Sequence, residues 1–313
     1  MTRSTDFPIA EKIVTNGIEL SVHSAGQPGK PIVLCHGWPE IAYSWRYQVQ
    51  PLVAAGYHVI MPNQRGFADS SCPEDVSAYD AETLSADLMG VLDHFNYQQA
   101  VFVGHDWGAI LLWILARLHP ERVSHLINLS VPFMARGETE WVTFWEKMLG
   151  QDFYIVHFNR QPGVAEDTFD AHTHNFLQHI YRTEHWLDSP RDQKPGMPMI
   201  NMALDTSPPA GKALMSAEEL SVFVTAFEKS GFRGGLNWYR NFPTNWHMLA
   251  QVPERIEQDT LMIYGEYDVV PSLPNLQDFV PNLQTHTLEC GHWIQQEKPE
   301  ETTKLMLDWL ERI

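Results

Sequence analysis

The chain has 313 residues, 44% of them hydrophobic, and 21 Lys and Arg against 39 Asp and Glu give a formal net charge of −18. That length suits one large α/β domain or a domain with a sizeable insertion, and so acidic a chain argues against nucleic acid or an anionic membrane as partner. Cys35, Cys72 and Cys290 are too few and odd in number for a disulfide framework, which fits a reducing compartment. Met1 to Asp6 lacks the apolar core of a signal peptide, and the longest apolar run, Ala109 to Ala116, falls far short of the ~20 residues that span a bilayer. The expectation is a soluble, cytoplasmic protein.

In chain order, Lys12-Ile13-Val14 and Ile18 to Val22 flank Asn16-Gly17, a strong hairpin signal. Pro31 to Leu34 reads as a buried strand ending in Cys35-His36-Gly37-Trp38-Pro39-Glu40. A helix is expected from Ser44 to Ala55, closed by Gly56, and then a strand at His58 to Met61. Leu84, Leu88, Val91, Leu92 and Phe95 repeat at helical spacing within Ala81 to Phe95. Ala100 to Val103 is the next strand, Ile110 to His119 a buried helix stopped by Pro120, and Val123 to Leu129 another strand. Strands alternating with helices predict a mostly parallel, twisted sheet covered on both faces. From Phe133 to about Phe242 the strand signals fade and helical patches alternate with Pro and Gly breaks. Strands return at Thr260 to Tyr264 and Gln284 to Leu288, before a last helix from Pro299 to Ile313. The predicted division is an α/β core over residues 1–133 and 243–313, split by a helical cap over 134–242.

The chemistry concentrates at Gly104-His105-Asp106-Trp107-Gly108-Ala109. A carboxylate sits on a sharp strand-to-helix turn between small residues, a nucleophile elbow with Asp where esterases carry Ser. Such a carboxylate needs donors for an oxyanion, a base to activate water and an acid to orient the base. Cys290-Gly291-His292-Trp293 and Gly265-Glu266-Tyr267-Asp268 each follow a strand, in the chain order nucleophile, acid, base. His292 is therefore the candidate base and Asp268 the candidate acid, with Glu266 as rival. The backbone N–H groups of Trp38 and Trp107 are candidates for the oxyanion hole, and His36, Gly37, Pro39, Trp107 and Trp293 for the lining of the substrate pocket. His172, His174, His179 and His185 lack the spacing and partners of a metal site. Arg233-Gly234-Gly235 is too short for a phosphate cradle, and Cys35 and Cys290 read as small packing residues.

His36-Gly37-Trp38-Pro39-Glu40 with Tyr43-Ser44-Trp45-Arg46-Tyr47-Gln48, then Gly104 to Ala109, then Cys290 to Trp293, together resemble the motifs of soluble epoxide hydrolases of the α/β-hydrolase fold. The resemblance runs from about residue 12 to the end and includes the cap. Phe153 to Phe158 ahead of Pro162-Gly163-Val164-Ala165-Glu166 resembles the segment carrying one ring-opening tyrosine, here Tyr154. Gly231 to Asn241 resembles the segment carrying the other, Tyr239. Asn63 and Ala68 depart from the Asp and Gly usual in that family, and Asn159-Arg160-Gln161 runs one residue long.

What the resemblance implies is water addition to an epoxide, giving a vicinal diol through an alkyl ester of Asp106. Tyr154 and Tyr239 assist ring opening from a site between cap and core, while His292 and Asp268 activate water; no metal or organic cofactor is required. The expected partner is a small-molecule epoxide, with neither nucleic acid nor membrane involved and a homodimer left open. A haloalkane dehalogenase shares Asp106, Trp107 and His292, but prefers Asn or Glu where Trp38 stands. A fluoroacetate dehalogenase calls for Arg at Trp107, and an esterase for a hydroxyl at Asp106. A non-catalytic ligand receptor on the same scaffold is the alternative from another class.

Overall fold

The computed structural model describes residues 7–184, 199–273 and 275–312. β1 (Ala10–Thr15) and β2 (Ile18–Ala25) form the hairpin that Asn16-Gly17 predicts, and both turn residues take positive φ, 46° and 74°. β3 (Lys30–Cys35), β4 (Tyr57–Asn63), β5 (Ala100–His105), β6 (Val123–Leu129), β9 (Thr260–Gly265) and β10 (Leu283–Leu288) complete an eight-stranded sheet. Its order is β1-β2-β4-β3-β5-β6-β9-β10, antiparallel from β1 to β4 and parallel from there on. The short β7 (Arg182–Thr183) and β8 (Lys212–Ala213) pair apart from it.

Every residue of β4 and β5 is buried, as a parallel sheet covered on both faces requires. Ile32 and Leu34, Val103, Ile127 and Leu129, and Leu261 and Ile263 alternate onto one face. There α1 (Val49–Ala54) supplies Val49 and Leu52, and the last helices, α12 (Ile294–Glu297) and α13 (Pro299–Leu310), supply Ile294, Met306 and Trp309. Of the other helices, α2 (Ala81–His94) packs on α3 (Trp107–Leu118), and α3 on β5. The helix expected from Ser44 to Ala55 is two pieces, a 3₁₀ turn at Ala42–Trp45 and α1. Pro51 falls in the first turn of α1, where its missing N–H leaves no helical bond unmade.

The chain forms two compact units, Met1–Gln64 with Ala81–Met134 and Pro253–Ile313, and Arg65–Asp80 with Ala135–Val252. The second contains α4 (Trp141–Leu149), α5 (Tyr154–Arg160), α6 (Val164–Ala171), α7 (Thr173–Ile180), α8 (Ile200–Leu204), α9 (Ala217–Ser230), α10 (Arg233–Arg240) and α11 (Phe242–Met248). Its centre is aromatic: Phe169 stacks on Phe176 at 4.0 Å and Phe227 on Phe232 at 4.6 Å. Arg136 Nε donates to Trp246 O at 2.7 Å, Trp246 Nε1 donates back to Arg136 O at 2.8 Å, and the guanidinium lies over the indole. These contacts clasp the two ends of the insert.

The helical unit extends beyond the stretch expected for it, to Val252 and into residues 65–80. The reason is a close approach of glycine backbones, since a Cβ on Gly234 would lie 2.5 Å from Gly66 Cα. Trp238 Nε1 donates to Arg65 O and Asn241 Nδ2 to Val76 O, while Phe67 packs on Phe227 and Trp238. These long-range bonds leave no periodic signal. Within this loop Ala68 holds φ at 51°, a region where a Cβ costs about 1 kcal/mol. Ala68→Gly is expected to raise the thermal unfolding midpoint by one or two degrees, roughly what ~0.5 kcal/mol of net gain gives in a chain of this size. A fall in the midpoint would mean that the loop tolerates its Cβ without strain.

Candidate active site

Parallel strands deliver their C-terminal ends to one edge of the sheet, and the candidate residues follow those ends: Trp38 after β3, Asp106 after β5, Asp268 after β9 and His292 after β10. Asp106 sits at φ 51°, ψ −117°, a strained elbow that presents its side chain above the start of α3. Two glycines permit the turn. A Cβ on Gly108 would fall 2.1 Å from Cys35 O, and one on Gly37 would fall 2.5 Å from Asp106 Cβ. The close approach of Gly37 puts Trp38 N 2.8 Å from Asp106 Oδ1, and the Trp107 N–H also donates to this carboxylate.

His292 Nε2 lies 3.6 Å from Asp106 Oδ2, and His292 Nδ1 lies 2.9 Å from Asp268 Oδ1. Burial pushes the Asp106 carboxyl above its ordinary value, against the charges of His292 and His105 and the two backbone donors. Burial would lower His292, but the carboxylates of Asp268 and Asp106 outweigh it and push the imidazole up to about 9. Asp268 is held below its ordinary value: burial opposes ionisation, and the His292 charge overcomes it. Glu266, the rival acid, has an exposed side chain, while its backbone N–H bonds Leu288 O. With His292 as the base, Asp268→Asn is expected to slow turnover by about 10²–10⁴ through a misoriented ring in the wrong tautomer, while Glu266→Gln leaves it unchanged. Steady-state rates with an epoxide check this, and the reverse pattern would return the role to Glu266.

Behind the elbow lies a second buried pair that sequence reasoning did not assign. His105 Nδ1 is 2.6 Å from Glu40 Oε2, and His105 Nε2 is 2.8 Å from His292 O. Both ring nitrogens thus lie within hydrogen-bond distance of an oxygen. Burial works against the Glu40 carboxylate, yet His105 and the Gly37 N–H hold it down at about 2. Gln295 and Gln296 both donate to Glu40 Oε1. His36, expected to line a pocket, spends its ring on the backbone: Nδ1 donates to Gly37 O and Nε2 accepts from Gln64 N–H. Burial lowers it to about 4, so it is neutral and braces the 36–40 turn. Pro39 and Trp107 are buried, and the Trp293 ring lies edge-on to His292 at 4.9 Å.

In the helical unit, Tyr154 opens α5 and Tyr239 lies in the last turn of α10, their rings edge to face at 5.9 Å. Asn159 Nδ2 donates to Ile155 O within α5 and to Tyr239 O on α10. Arg240 Nε donates to Phe158 O, and its guanidinium pairs with the buried Glu166. The residue by which Asn159-Arg160-Gln161 runs long thus falls at the end of α5, after Tyr154. Of the cap histidines, His172 and His174 are exposed, His179 bonds Asn175 O and Ser207 O, and His185 lies outside the described residues. Among the described residues no group of His, Cys, Asp and Glu is arranged to hold a metal ion, and no helix is long and apolar enough to cross a membrane. Cys35 and Cys290 are buried, and burial pushes both thiols up.

An α/β-hydrolase fold family profile matches residues 30–299. Epoxide hydrolase A of Mycobacterium tuberculosis is 38% identical over 97% of this chain and 97% of its own. Epoxide hydrolase 2 of Siraitia grosvenorii is 35% identical over 96% and 97%. The crystal structure of epoxide hydrolase A from Mycobacterium thermoresistibile superposes with a TM-score of 0.88 at 37% identity, covering 97% of this chain and 98% of that one. The likeness runs along nearly the whole of this chain and of its relatives, and the chain belongs to the epoxide hydrolase family of the α/β-hydrolase fold.

Proposed function

We propose that this protein adds water to an epoxide to form a vicinal diol through a covalent ester on Asp106. The observation that carries the reading is the unequal treatment of the two Asp106 oxygens. Oδ1 is engaged by the Trp38 N–H, while Oδ2 faces His292. Oδ2 is thus the nucleophile that attacks an epoxide carbon as the ring C–O bond breaks. The departing oxygen leaves as a strongly basic alkoxide and takes a proton from one of two phenols, Tyr154 or Tyr239. In the ester, Oδ1 is the carbonyl oxygen, and it becomes the oxyanion when water attacks the ester carbon. The N–H groups of Trp38 and Trp107 then stabilise that charge. His292 Nε2 takes the proton from the water while Asp268 holds the ring. As the tetrahedral intermediate collapses, the imidazolium gives that proton to the departing alkoxide oxygen and the diol is released. The proton left on the Asp106 carboxyl restores the tyrosine hydroxyl spent in ring opening.

Esterification also tunes the base. The Asp106 charge helps to hold His292 up at about 9, where it is an imidazolium unable to accept a proton. Alkylation neutralises that carboxylate, so the His292 value falls and the ring becomes a base at the moment one is needed. The reading is tested by incubating the protein with styrene oxide and with a 1-haloalkane. Diol should form, with little or no halide released. Faster halide release than diol formation would move the assignment to a haloalkane dehalogenase, with the Trp107 indole as halide donor.

A further inference from the structure

We infer that Ser130 is a positioning residue for ester hydrolysis, its hydroxyl fixing the Asp268–His292 pair. Ser130 is the first residue after β6, is fully buried, and takes φ 71°, a left-handed conformation that serine seldom adopts. Its N–H bonds Ile263 O and extends the β6–β9 pairing by one residue, so the strained backbone is fixed in place. The consequence of that conformation is where the hydroxyl goes. Ser130 Oγ lies 3.1 Å from His292 Nδ1, the same nitrogen that faces Asp268 Oδ1 at 2.9 Å.

Two oxygens converging on one ring nitrogen can both be accommodated only in one arrangement. Nδ1 carries the proton and gives it to the carboxylate, with Oγ as the secondary acceptor. The hydroxyl also helps to hold the Asp268 carboxyl down, an effect smaller than those of burial, which opposes it, and of the His292 charge. The triangle thus locks the imidazole in the tautomer that leaves its Nε2 lone pair for water, and it stops the ring from swinging about its Cβ–Cγ bond. A serine kept only for packing has no need of a left-handed backbone, since a glycine holds that conformation without a Cβ.

The assignment rests on the proposed ester mechanism and predicts an effect on one half-reaction alone. Ser130→Gly keeps the backbone conformation and removes the hydroxyl; Ser130→Ala removes it while retaining the Cβ. Both should alkylate with styrene oxide at the wild-type rate in rapid-quench mass spectrometry. Both should then hydrolyse the ester about tenfold more slowly, the worth of one ordinary hydrogen bond. A measurement without substrate decides the case separately: the downfield proton resonance of His292 Nδ1–H should move in Ser130→Gly. Ester hydrolysis within about twofold of wild type, or an unmoved resonance, would overturn the role of Ser130. If wild type forms no alkyl-enzyme at all, the ester mechanism fails, and the resonance alone still judges the Ser130 contact.

Discussion

His292→Gln is expected to take up one equivalent of epoxide and then to turn over very slowly. The nucleophile needs no base to attack carbon: burial raises the Asp106 carboxyl, but the Trp38 and Trp107 N–H groups still favour its anion when His292 is gone. Alkylation should therefore proceed, more slowly than in wild type, because the neutral amide no longer favours the Asp106 anion. Hydrolysis should fall by about 10²–10⁴, the usual contribution of a positioned base. Intact-mass spectrometry after adding styrene oxide should show protein plus one substrate, stable over many wild-type turnover times. An unmodified mass with full loss of turnover would mean that His292 acts before the ester forms. The same logic gives the pH dependence in wild type. Single-turnover ester hydrolysis should rise with pH, and its midpoint should lie below the value of about 9 that His292 has in the free protein, since the Asp106 charge is gone.

What was legible in the sequence follows from how far apart the determining contacts lie. The Asn16-Gly17 hairpin, the α3 elbow and the strand at Val123–Leu129 are encoded by neighbours, through turn chemistry and apolar periodicity. Asp106, Asp268 and His292 were legible as candidates because each lies at or just beyond the end of a strand, and parallel strands bring their ends together whatever loops intervene. Glu40 and His105 stood inside motifs that were read, yet their roles stayed hidden. His105, which holds the buried Glu40 carboxylate ionised, is 65 positions away, and Gln295 and Gln296, which donate to it, are 255 and 256 away. Ser130 left no signal at all, because a positive φ at serine is imposed by the β6–β9 pairing rather than by the residue itself. Likewise the grouping of residues 65–80 with the helical unit depends on two glycine backbones in contact, and glycine carries no side chain to advertise it.

The largest effect is expected at the tyrosines proposed to protonate the leaving oxygen, because ring opening is where an epoxide differs chemically from a haloalkane. A halide leaves as a stable anion; an epoxide oxygen leaves as an alkoxide far more basic than phenoxide, whose conjugate acid has a pKa near 10. Without a donor the ring closes again faster than the ester accumulates. Tyr154 and Tyr239 are held ring edge to ring face at 5.9 Å, and Asn159 ties α5 to the Tyr239 carbonyl, so each can partly serve when the other is lost. Tyr154→Phe and Tyr239→Phe should each slow diol formation, by less than the about 10²–10⁴ that a general acid contributes. The double variant should form no detectable alkyl-enzyme from styrene oxide, while its thermal unfolding stays close to wild type because both rings remain. Ring opening at the wild-type rate in the double variant would remove both phenols from the mechanism and leave some other group to protonate the departing oxygen.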